Sequence, residues 1–214
     1  MASLTKGQFQ NASNGLTFLY QRLSTTYPVY WFYSALVLMV FFIQPTWVNS
    51  AQGNQINILS SFLLWPEATL PLINVGWTLI HEMYFYIIFT AFLFFVPEKK
   101  LGLALSLWAM TIIAIDLCTS TTSPILNLIA HPLTIEFIAG CFLAMLFGQD
   151  SGLKNAMAIA VGAVAIVCLL ISMAGPNELN GWWRVGIYGA PSAAILYCLV
   201  VAERQGVVLG TYLV

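Results

Sequence analysis

The feature that most constrains this chain is the unbroken apolar run from Gly76 to Val96, interrupted near its start by His81 and Glu82. At about 1.5 Å rise per residue it makes a helix of roughly 31 Å, enough to cross the hydrocarbon core of a bilayer. An ionised acid near the centre of such a helix costs about 2.5–3.5 kcal/mol, so an intramembrane Glu is a candidate functional group. Residues four apart share a helix face. Thr78, Glu82 and Tyr86 therefore form one polar stripe and Trp77, His81 and Phe85 the stripe beside it, both expected to face protein or water.

The rest of the sequence agrees with a membrane environment. Hydrophobic residues make up 60% of the chain and charged residues 7%, against roughly 25% charged in soluble domains. With a net charge of −1 and no basic run, nucleic acid is excluded as a partner. Cys118, Cys141, Cys168 and Cys198 lie apart in apolar runs, with no C-x-x-C spacing, and read as small core residues; no metal site is expected.

The expected fold is all-α: a polytopic transmembrane helix bundle of about six spans in one membrane domain covering residues 1–214. The spans run from Pro28 to about Val48, Gly76 to Val96, Leu101 to Cys118, Pro132 to Phe147, Leu153 to Ala174 and Val185 to Ala202. Pro28 suits a first helical turn, and Pro45 should kink or end the first span. Residues 1–27 read as a cytoplasmic amphipathic lead-in. Ile56 to Trp65 is apolar but too short to cross, so it reads as an interfacial or re-entrant segment. Of the seven Lys and Arg, only Arg184 falls on one side of these spans. The positive-inside rule then places both termini in the cytosol, with a bacterial inner (plasma) membrane as the expected location.

On that topology His81, Glu82, Asp116, Glu136 and Arg184 all belong to the external half of the membrane. Arg184 is the natural counter-charge for Glu82 or Glu136. A structural ion pair and a functional site are both open readings for Glu136 and Arg184. Asp116 suits a wet helix end, His131 a loop or cap, and His81 either a satisfied interior histidine or a site residue.

Four blocks in order resemble the acyltransferase family 3 of integral membrane O-acyltransferases, above all its exopolysaccharide acetyltransferase branch. They are Arg22 followed by Tyr27-Pro28-Val29-Tyr30-Trp31; Gly76-Trp77-Thr78-Leu79 with Glu82-Met83-Tyr84-Phe85-Tyr86; Glu136-Phe137-Ile138-Ala139-Gly140; and Arg184, Gly189, Pro191-Ser192-Ala193 and Glu203. Thr25 stands where the family usually has a second Arg, and His81 where it has an aromatic or small residue. Against the family pattern the chain should lack the usual first spans, with their His, and the usual last ones.

The resemblance implies transfer of an acyl group, usually acetyl from acetyl-CoA, to a hydroxyl of a cell-surface carbohydrate or lipid-linked sugar, with no bound cofactor and the lipid bilayer as surroundings. Glu82 and His81 are the candidate catalytic residues, since a sugar hydroxyl needs a base as it attacks. Trp77, Tyr86, Glu136 and Arg184 are the candidates for substrate binding. Arg22 and Tyr27 are those for the acyl-CoA, with Arg22 meeting its phosphates at the cytoplasmic face. An inactive fragment or structural membrane subunit is the alternative. A secondary transporter should show internal repeats, and none is visible.

Overall fold

A computed structural model of the chain describes residues 7, 9–48, 56–118, 123–147, 155–173 and 181–204. Most of these residues are helical, with no strand among them. Five stretches are long and apolar enough to cross a membrane: Ala12–Ile43, Gly76–Phe95, Glu98–Cys118, Pro124–Met145 and Gly181–Val201; a sixth apolar helix is described over Ala160–Ser172. The chain divides into two compact units, residues 6–131 and residues 132–214.

In the first unit, α1 (Ala12–Ile43) lies against α3 (Gly76–Phe95), followed by α4 (Leu101–Cys118) and the short α5 (Pro124–Ala130). The pair α1/α3 is antiparallel. Gln10 N–H donates to the Leu93 carbonyl, Phe18 meets the rings of Tyr86 and Phe89, and the Tyr30 hydroxyl lies beside Gly76. The core is aromatic: Phe85, Phe89 and Leu93 are wholly buried, and Trp108 of α4 stacks on Phe85 at 5.8 Å.

α1 corrects the expected lead-in and first span. It is one helix that begins at Ala12 with Asn11 as N-cap and runs through Pro28, instead of starting there. An internal proline costs about 3 kcal/mol. Contacts on both sides of it, from Phe18 to α3 and from Tyr27, Tyr30 and Trp31 to α2 (Ile58–Leu63), offset that cost. Gln44, extended ahead of Pro45, ends the helix as expected.

In the second unit, α6 (Leu133–Phe147) and α7 (Asn155–Met173) pack against α9 (Ala190–Arg204). The last span opens earlier than Val185, with α8 (Gly181–Arg184), and then widens into a π-helical turn over Val185–Gly189 before α9. Two of the cysteines depart from the core reading. Cys141 and Cys198 are buried, but Cys118 and Cys168 lie on the exposed faces of their helices. Lys6 and Lys154, which contributed to the orientation, fall outside the described residues.

Candidate functional site

The irregular segment between α1 and α3 shapes the first unit's site. α2 has only six residues, so the carbonyls of its last four, Ser60 to Leu63, have no partner within the helix. In hydrocarbon each unsatisfied backbone group costs several kcal/mol, and all four are satisfied. Trp65 N–H donates to the Ser60 carbonyl at 2.9 Å, across a left-handed Leu64. From α1, the Tyr30 hydroxyl donates to Ser61 at 2.7 Å, Trp31 Nε1 to Phe62 at 2.9 Å and the Tyr27 hydroxyl to Leu63 at 3.1 Å. The spacing of 27, 30 and 31 puts these three donors on one helix face. Tyr27, expected to bind acyl-CoA, thus has its hydroxyl committed to the backbone of α2.

Beyond Leu64 the chain forms one wall of a cavity of about 290 Å³, from Pro66 to Pro71, and the first turns of α3 and one side of α5 with His131 supply the others. Trp77, His81 and His131 line it together with Asn127 and Glu67. The chain's two histidines meet here, with ring centroids 4.5 Å apart, and Trp77 stands edge-on to His81 at 5.5 Å. His81 is buried, and its Nδ1 lies 2.8 Å from the Trp77 carbonyl. A carbonyl only accepts, so Nδ1 carries the proton in this bond and, in the neutral ring, Nε2 holds the lone pair.

Glu82, one residue on, belongs to the neighbouring stripe and turns toward α1. Its carboxylate accepts the hydroxyl of Tyr86. The Arg22 guanidinium lies over the same Tyr86 ring at 5.9 Å and over Phe18 at 5.5 Å, both within cation–π range. Arg22 is therefore not separated from Glu82 by the thickness of the membrane. Because α1 starts well before Pro28, Arg22 comes level with the middle of α3. Of the candidates, Trp77 and His81 converge on the cavity, and Arg22, Glu82 and Tyr86 form a second cluster behind it.

The second unit brings Glu136 and Arg184 to one cleft of about 470 Å³ between α6, the π turn and α9. Glu136 lies against Gly189, where a Cβ would come within 3.1 Å of its Oε1, and the Arg184 charge acts on its carboxyl group. Glu136 and Arg184 thus share one cleft, and Gly189 leaves room for the Glu136 carboxyl group. π turns of this kind are frequent at functional sites.

Residues 4–213 match a family model described as an acyltransferase domain, that of acyltransferase family 3. The chain belongs to this family. No curated protein and no solved structure matches it. As an acyltransferase 3 protein it is a membrane-embedded acyltransferase, and all four of the blocks that carried the resemblance have residues at these sites: Trp77 at the cavity, Arg22, Glu82 and Tyr86 behind it, and Glu136, Arg184 and Gly189 at the cleft.

The residues that sequence reasoning missed are His131, Asn127 and Glu67. His131 is indeed the C-cap of α5, as a residue before proline would suggest. Its approach to His81 had one signal in the sequence: both histidines of an otherwise histidine-free chain occur at helix ends on the same side of the expected topology.

Proposed function

We propose that this acyltransferase 3 protein moves an acetyl group from acetyl-CoA to a hydroxyl of a cell-surface carbohydrate or lipid-linked sugar, with the Trp77–His81–His131 cavity as the acceptor site. The observation that carries this reading is the presence of a buried, oriented imidazole in a cavity with an aromatic face and polar neighbours. Trp77 offers a surface on which a sugar ring can stack. Asn127 and Glu67 offer hydrogen bonds to its other hydroxyls.

His81 is the base in this scheme. As the sugar oxygen attacks the thioester carbonyl, its proton passes to Nε2, the new C–O bond forms, the C–S bond breaks and the thiolate leaves, to be protonated in turn. The carbonyl of Trp77 holds the Nδ1–H and so leaves Nε2 as the acceptor nitrogen. Glu82 was the other candidate base. Its engagement by Tyr86 beneath Arg22 suits it better to holding α1 and α3 in register and balancing the Arg22 charge. Phosphates of the donor would approach the end of α3 that carries Lys99 and Lys100, with Arg22 the deeper cation on that side.

The test is acetyl transfer in membranes from acetyl-CoA to de-O-acetylated polysaccharide of the source cell, with insertion checked for each variant. His81→Gln should lower kcat by about 10²- to 10⁴-fold, and Glu82→Gln by less. Near-normal turnover in a well-inserted His81→Gln protein would remove His81 as base. The orientation is tested separately: a cysteine at Lys99 should resist an impermeant maleimide in intact cells, because the positive-inside rule puts it in the cytosol.

A further inference from the structure

Three aromatic side chains in the first block lie outside the cavity, yet they support one of its walls. The wall, Pro66 to Pro71, is strapped to α2 at three points. Trp65 N–H donates to the Ser60 carbonyl. Glu67 accepts from Asn57 Nδ2 at 2.7 Å and from the Ser60 hydroxyl at 2.8 Å. Leu72 N–H donates to the Ser61 hydroxyl at 3.0 Å. α2 in turn is bound to α1 by the Tyr27, Tyr30 and Trp31 donors. Tyr30 is buried and reaches the far end of the same wall, since a Cβ on Gly76 would come within 3.0 Å of its hydroxyl and 2.9 Å of the Pro71 ring.

We propose that Tyr27, Tyr30 and Trp31 are positioning residues: a latch on α1 that holds α2, and through it the Pro66–Pro71 wall, in the place that shapes the acceptor cavity. This rests on the acceptor reading of that cavity. Held in this way, the wall keeps Glu67 in the lining that Trp77 and His81 share. With the latch released, the imidazole stays on α3, held by the Trp77 carbonyl, while the surface that orients the sugar is lost. The latch therefore acts on acceptor binding more than on chemistry and leaves the donor alone.

The experiment pairs amide hydrogen exchange with steady-state kinetics on the full chain in membranes, for Tyr30→Phe and for the milder Tyr27→Phe, whose target carbonyl is held by the longest of the three bonds. Each variant keeps the ring and removes only the donor. Exchange of the amides from 64 to 75 should quicken by about tenfold in Tyr30→Phe, the factor expected for one hydrogen bond to a buried carbonyl, while the amides of α3 beyond Ile80 keep their protection. KM for the de-O-acetylated polysaccharide should rise by a similar factor, with kcat and the KM for acetyl-CoA little changed. Unchanged exchange from 64 to 75 in both variants would overturn the latch. Faster exchange with an unchanged polysaccharide KM would leave the mechanical latch standing and overturn the acceptor assignment of the cavity on which its functional role depends. A fall in kcat alone would show that the three residues act on chemistry and overturn their positioning role.

Discussion

The two compact units bring polar groups into an apolar fold by different means. In residues 6–131 the chain leaves the helix between α1 and α3, and side-chain donors meet three of the last four carbonyls of α2 while the Trp65 N–H meets the fourth. In residues 132–214 the backbone stays helical, and Gly189 on a π turn lets the Glu136 carboxylate lie against it. The first device is stiff, because displacing α2 breaks several hydrogen bonds to its backbone at once. The second is adjustable, since what meets the glycine is the end of a flexible side chain. A stiff cavity suits the exact placement of a base, and an adjustable cleft suits binding.

The largest expected effect probes that division of labour. His81→Gln should cost about 10²- to 10⁴-fold in kcat, whereas Glu136→Gln should act mainly on KM. If Glu136→Gln removed more turnover than His81→Gln in the membrane assay, the chemistry would belong to the second unit and the comparison would be reversed.

A smaller effect concerns the cluster behind the cavity. Tyr86→Phe removes a buried donor from the Glu82 carboxylate, and hydrogen bonds to charged groups are worth about 1.5–3 kcal/mol. Thermal unfolding in detergent should show that loss. No change in midpoint would mean that Glu82 and Arg22 do not depend on Tyr86.

The smallest effects contrast two glycines. At Gly76 an added Cβ would press on the rigid Pro71 ring at 2.9 Å, so Gly76→Ala should cost about 1–3 kcal/mol as overpacking. At Gly189 the obstacle is the Glu136 carboxyl group at 3.1 Å, which can swing aside, so Gly189→Ala should cost less than about 1 kcal/mol. Equal costs at the two positions, measured by the same unfolding assay, would show that the units do not differ in stiffness.

Much of the site was legible in the sequence as a set of parts. The four-residue spacing on α3 separated the Glu82 stripe from the His81 stripe, and the two stripes do face different neighbours. Arg184 was matched by charge with Glu82 or Glu136, and it shares a cleft with Glu136. The role of Tyr27 was not legible, because a tyrosine in an apolar run looks the same whether it stacks on a ligand or caps a carbonyl thirty-six positions away. The reach of α1 was missed for a related reason: propensity alone argues against a helix through Pro28, and only contacts from distant segments outweigh it.

Hydropathy and length by themselves determine that this chain is a helical membrane protein, because a backbone in hydrocarbon must satisfy its own hydrogen bonds and only helices do so over runs such as Gly76 to Val96. The order of its blocks likewise determines the family. Tertiary structure alone decides which polar residues meet. It brings His131 to His81, lifts Arg22 to the level of Tyr86 and turns the Tyr27–Trp31 face onto α2. Local spacing sets the face on which a side chain emerges, whereas the partner on that face comes from segments dozens of residues away, whose approach depends on packing that no local pattern encodes.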